Sequence, residues 1–187
     1  MSIATETSRE TLPAAGTWTV DPGHTTAGFV ARHLMVTKVR GSFTDLEGTV
    51  VVGERPEDTT VEATLKTASI DTRSADRDAH LKSPDFFDVE SFPEITFRST
   101  GVRHVKGRDW QLDGDLTIKG VTKPVTLDVE FEGLTGDPWG GQRAAFSAST
   151  EIDREDWGLN WNVALETGGW LVSKKVKLEL DVQLVKQ

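Results

Sequence analysis

The sequence predicts an all-β domain in which one tall antiparallel sheet closes on itself as a barrel of about eight strands, with a single short helical segment near residues 74–87. Three observations carry this. Runs rich in Val, Thr, Phe and Leu alternate with a period of two between Gly, Pro and acidic punctuation. The runs are long, roughly 10 residues where about 5 to 6 is usual, so the sheet is tall. Only one short helical pattern is available to cover the apolar face, so the economical course is for the sheet to bury that face inside its own curl. A β-sandwich with a solid core satisfies the same alternation. The small inner-face residues Ala63, Ala148 and Thr150 leave room that an all-Leu core would fill, which favours the hollow form.

Taken in order, residues 1–16 (MSIATETSRETLPAAG) show no periodicity and are expected to form a flexible tail, leaving one domain over residues 17–187. Thr25 to Met35 and Val39 to Gly53 are strand-like, but their apolar positions fall on both parities, as they would around a bulge. Val61, Ala63 and Leu65 oppose Glu62, Thr64 and Lys66. Ser74 then caps a short helix whose first turn holds Asp76 and Asp78, as the helix dipole favours, and Pro84 stops it. Ala75, Ala79 and Leu81 lie on or near one side of it, and Phe86 and Phe87 follow at once. Such a segment can gate one end of a barrel or simply cap its core. Leu112, Leu116 and Ile118 form another inner face, interrupted by Gly114, and Phe146, Ala148 and Ile152 another. Val125, Leu127, Val129 and Phe131 alternate with Thr126, Asp128, Glu130 and Glu132, and Val176 to Leu184 repeats the pattern. One face of each strand is buried and one is wet.

Composition excludes several functions. A net charge of −9, with 21 basic residues scattered among 30 acidic ones, offers nucleic acid no basic patch. With no cysteine there is no disulfide, thiolate nucleophile or cysteine metal site. The start lacks a basic region followed by an apolar run, so no signal peptide is read and a cytoplasmic location is expected. No run is long and apolar enough for a transmembrane helix.

Catalytic signals are weak. His24, His33, His80 and His104 are scattered without metal-ligand spacing, and no metal or cofactor is expected. No G-x-S-x-G elbow presents a serine. Asp113 and Asp115 share a parity, but acids near strand turns ordinarily serve solubility. Trp157, Trp161 and Trp170 gather near the carboxyl end, where they could form a sugar platform, seal a dimer interface, or pack beneath a long loop.

Four ordered motifs are more specific: WTVDPGHTTAGFVARHLMVTKVRGSFTDLEGTV, SIDTRSADRDAHLKSPDFFDVESFPEITFRS, GDLTIKGVTKPVTLDV and DPWGGQRAAFSASTEIDREDWGL. Together they resemble the YceI-like family of polyisoprenoid-binding proteins over nearly the whole chain after Gly16. The resemblance implies a lipocalin-like, eight-stranded antiparallel barrel holding an isoprenoid or similar amphiphilic lipid, in proteins often dimeric. Members that carry a secretion signal differ from this chain. Tail contacts are expected from Phe29, Phe43, Leu65, Phe97, Ile118, Val129, Phe131 and Phe146, apolar residues in strand-like runs. Helix placement and family position add His33, His80, Leu81 and Phe86 at the mouth, with Arg77 and His80 as headgroup contacts. The favoured expectation is a noncatalytic lipid carrier or store. The alternative is a small-molecule enzyme or isomerase using the same cavity, with His33 or His80 as acid/base.

Overall fold

The computed structural model describes residues 11–187; the earlier part of the expected tail lies outside them. Its strands are β1 (Gly16–Val20), β2 (Thr26–His33), β3 (Thr37–Phe43), β4 (Leu46–Val52), β5 (Thr60–Lys66), β6 (Ile70–Asp71), β7 (Glu94–Lys106), β8 (Asp109–Ile118), β9 (Val121–Gly136), β10 (Gln142–Asp153) and β11 (Lys175–Lys186). One helix, α1 (Ala75–Lys82), lies between β6 and β7. Every pairing is antiparallel, and β1 closes the ring by pairing with both β4 and β11. β1 and β2 pair in succession along β11, so they are two halves of one long strand interrupted at Pro22–His24. β3 and β4 form a second such pair. The closed barrel therefore has eight staves, and the hollow form is the one adopted.

The mixed parity of residues 39–53 has a simple cause. The break at Thr44–Asp45 between β3 and β4 reverses which parity faces inward: Val39, Gly41 and Phe43 before it, Leu46, Gly48 and Val50 after it. A similar shift occurs where Phe131 pairs with Phe146 but Gly133 pairs with Ala145. Glu132 is the extra residue, and Leu134 returns to the packed face beyond it.

Two apolar clusters lie along the barrel. At the helix end, Phe43, Ile70, Ile95, Leu116, Ile118, Ile152, Trp157 and Leu159 form a filled plug, against which Leu81 and Phe87 pack. At the other end, Trp18, Phe131, Ala144 and Leu184 pack together. Ser74 Oγ accepts from Arg77 N–H at 3.4 Å, as its capping role requires. Thr72, which is buried, tethers the helix further. Its N–H and hydroxyl both donate to Asp78 Oδ1, at 2.9 and 2.5 Å. Arg77 Nε and Nη2 donate to Thr72 Oγ1 and O, each at 2.7 Å. Arg77 is thus engaged in holding the helix start rather than aimed at a ligand.

Candidate functional site

A cavity of about 640 Å³ occupies the barrel interior. Its walls are the inward faces of the staves, so period-two alternation is what makes them apolar. Phe29, Phe43, Leu65, Phe97, Val129, Phe131 and Phe146 all line it, joined by Leu112, Leu127 and Leu180. Ile118 does not; it is 5% exposed within the plug at the helix end. Small residues, Ala27, Gly28, Ala63 and Ala148, keep the walls back from the axis. The volume falls inside the roughly 300–1,000 Å³ of pockets that enclose small organic ligands.

The cavity reaches the end of the barrel away from α1. There its lining includes Leu12, Pro13, Ala14 and Ala15 from the segment before β1, and Gly53, Glu54, Pro56 and Thr59 from the β4–β5 connection. Trp18 Nε1–H donates to Ala14 O at 3.0 Å and so draws residues 12–15 against the rim. No periodicity marks this segment.

The residues expected at the mouth lie at the opposite, closed end. Leu81 packs against the plug. Phe86, 6% exposed, faces a filled aromatic cluster, with ring centroids 5.2 Å from His80 and 5.4 Å from Trp161. His80 Nε2 shares a hydrogen bond with Asp85 Oδ2 at 2.8 Å, and its ring meets Trp161 edge-on at 4.5 Å. His33 is exposed at the end of β2, bridged to Val172. None of these four lines the cavity: the helical segment carries its apolar side onto the plug, and His33 stands at the exposed end of β2.

That placement also keeps the histidines away from the cavity. His24, His33, His80 and His104 are all absent from the lining, whose ionisable groups are Glu54 and Glu62. Among the described residues, no cluster of His, Asp or Glu is suited to hold a metal ion. The three carboxyl-end tryptophans do not form one platform. Trp157 is buried, its Nε1–H donating to Leu116 O at 2.9 Å; Trp161 meets His80 edge-on; Trp170 is 46% exposed.

The closed end is sealed by residues 158–174 and held by Arg154, which is buried. Its Nε donates to Ser173 O at 2.9 Å, and Nη1 donates to Leu159 O and, at 3.0 Å, to Trp161 O. Nη2 reaches Val172 O at 3.4 Å, and the guanidinium lies 5.9 Å from the centre of the Phe86 ring. Burial pushes this guanidinium below its ordinary value, opposed by the Glu155 and Asp153 carboxylates, yet it stays charged. A second depression, of about 580 Å³, lies on the outer face of β8 to β11. Asp109, Asp128, Glu130, Glu179 and Asp181 around Ser147 and Ser149 make it unsuited to an apolar chain.

Comparison with known proteins agrees with this architecture. The family profile described as YceI-like domain matches residues 18–184. The UPF0312 protein SA2479 of Staphylococcus aureus (strain N315) is 41% identical over 169 residues, spanning 89% of this chain and 95% of its own. The crystal structure of the Campylobacter jejuni YCEI protein superposes with a TM-score of 0.72 at 26% identity, covering 83% of this chain and 90% of that one. A polyisoprenoid binding domain from Saccharophagus degradans has the same fold, with a TM-score of 0.70 at 12% identity over 91% of this chain and 98% of its own.

Proposed function

The chain belongs to the YceI-like family, and we propose that it binds a long-chain isoprenoid or similar amphiphilic lipid inside its barrel, as a carrier or store without catalysis. The observation that carries this reading is the apolar cavity of about 640 Å³, reaching one end of the barrel and walled by aromatic and aliphatic side chains. The polyisoprenoid-binding designation of the structurally similar Saccharophagus degradans domain points the same way.

Burying apolar ligand atoms is worth about 0.8 kcal/mol per CH₂, so a five-carbon prenyl unit contributes roughly 3–4 kcal/mol before ordering costs are subtracted. A few units reach useful affinity. With no hydrogen-bonding group needed along the tail, selectivity rests on cavity length and on the rim, where Glu54 is among the lining residues. In this reading Phe29, Phe43, Leu65, Phe97, Val129, Phe131 and Phe146 contact the tail, and the headgroup sits among residues 12–15 and 53–59.

Native mass spectrometry followed by solvent extraction of the purified protein tests the reading. A copurifying polyprenyl or comparable lipid is expected, and Ala148→Trp, which fills the bore, should exclude it. An extract free of apolar species, with no uptake of added prenyl alcohol, would sink the proposal.

A further inference from the structure

The turn joining β2 to β3 is made of residues ill suited to it. Val36 N–H donates to His33 O at 3.2 Å, and Leu34 and Met35 between them hold φ of 54° and 63°. Such a turn favours Asn and Gly, because bulkier L side chains are strained at positive φ. Here it carries large apolar side chains that, with the next residue, face water: Leu34, Met35 and Val36 are 46%, 52% and 75% exposed.

A second turn lies against the first. Leu34 N–H donates to Leu171 O at 2.8 Å, and Leu171 N–H donates to Val163 O at 2.9 Å. Met35 Cγ is 3.3 Å from where a Cβ on Gly169 would stand. This neighbour adds Val163 and Trp170, each 46% exposed. Five apolar side chains from two adjoining turns thus make one projecting tip.

The charge around the tip is opposite to that of the whole chain. Residues 31–40 and 162–175 contain Arg32, Lys38, Arg40, Lys174 and Lys175, faced by Glu166 and by the neighbouring carboxylates Glu155 and Glu179, which leaves the region net positive in a chain of net charge −9. Arg40 and Lys174 are paired with Glu179 and Glu155, each at 3.4 Å. Arg32 donates to Val36 O at 3.3 Å, which holds its guanidinium against the tip.

We propose that this tip docks the protein on an anionic lipid bilayer, with Leu34, Met35, Val36 and Trp170 entering the interface and the basic collar meeting the headgroups. Apolar side chains with a tryptophan inside a basic rim are what such a surface selects. A second copy is a poorer occupant, because two basic collars would meet face to face. The tip projects from the end opposite the cavity opening, so docking sets where the barrel sits and leaves the opening toward water. It does not depend on what the cavity holds.

The test is cosedimentation of the full chain with vesicles of phosphatidylcholine alone or containing about one-third phosphatidylglycerol. The wild type should favour the anionic vesicles by about tenfold or more, with the preference lost at high salt. Leu34→Asn combined with Met35→Gly suits the turn, so the variant should fold with an unchanged or higher Tm yet bind anionic vesicles about tenfold more weakly. Absence of wild-type binding, or equal binding by the folded double variant, would overturn the proposal. So would a wild-type dimer that the double variant abolishes, with no vesicle binding by either.

Discussion

The ring of Phe97 lies in the space that a side chain at Gly114 would occupy, its Cζ 2.2 Å from where a Cβ would stand. The two residues sit on neighbouring strands, β7 and β8, with Phe97 paired to Leu116 and Gly114 paired to Ser99. Phe29 lies over Gly41 in the same way, 2.3 Å from the corresponding point. Each glycine is a well in the barrel wall that lets a phenylalanine lie flat, so the bore stays open where a standing ring would block it.

Gly114→Ala should therefore push Phe97 into the lumen. The overpacking cost is about 1–3 kcal/mol, visible as a lower Tm, and uptake of long apolar chains should fall more than uptake of short ones. Pairing the change with Phe97→Leu should restore both. A Gly114→Ala protein with wild-type uptake of every chain length would show that the flat ring does not set the bore.

Such a relationship explains what could and could not be read from the chain. The inner parity of β5 and of β8 to β11 was legible because each strand has one wet face, and seven of the eight expected tail contacts line the cavity. Whether those rings stand in the lumen or lie along the wall depends on glycines in neighbouring strands, which one strand's pattern cannot reveal. Ile118 shares its parity with Leu116 but sits deeper, within the plug. The role of the helical segment is not legible in the sequence, because Ala79, Leu81 and Phe86 look the same whether they gate an opening or cap a filled core; in the fold Leu81 packs on the plug and Phe86 is buried. Leu12 to Ala15, which line the cavity at the other end, carry no period; the Trp18 indole, four residues beyond Ala14, holds them there through one backbone carbonyl.

Acid should weaken the barrel through Asp21. Its carboxylate accepts from His24 Nδ1 at 2.9 Å, from Arg143 Nη1 at 2.7 Å and from Gly23 N–H at 3.0 Å. The His24 hydrogen bond first, and the Arg143 guanidinium second, hold this carboxyl below its ordinary value. Near pH 4 the unfolded chain therefore binds more protons than the native one, and stability rises with pH. The contribution is complete above the unfolded aspartate value of about 3.9 and is lost as pH falls through the lower folded value. Asp21→Asn should cost on the order of 1 kcal/mol at pH 7 and flatten the dependence between about pH 4 and pH 2. Urea melts at a series of pH values give both; an unchanged acid limb would remove Asp21 from the account.

Arg154 poses the sharper test, because a buried cation whose side-chain hydrogen bonds all go to backbone carbonyls holds a structure that no other side chain can replace. Its donors satisfy Leu159, Trp161, Val172 and Ser173 at once, and these carbonyls lie near both ends of the segment covering the plug. Arg154→Met keeps the length of the side chain and removes the charge, but it leaves buried acceptors without partners. Each charge-assisted bond is worth about 1.5–3 kcal/mol and their losses are not additive, so a net cost of about 3 kcal/mol is expected. Arg154→Lys should recover little, since one ammonium cannot reproduce the planar fork that reaches four carbonyls. Amide hydrogen exchange locates the effect: protection should fall across residues 158–174 in both variants while β9 and β10 keep most of theirs. Uniform loss over the whole barrel would mean that Arg154 supports global folding rather than the cover. Wild-type protection in the Lys variant would mean that charge alone, without the fork, holds the end closed.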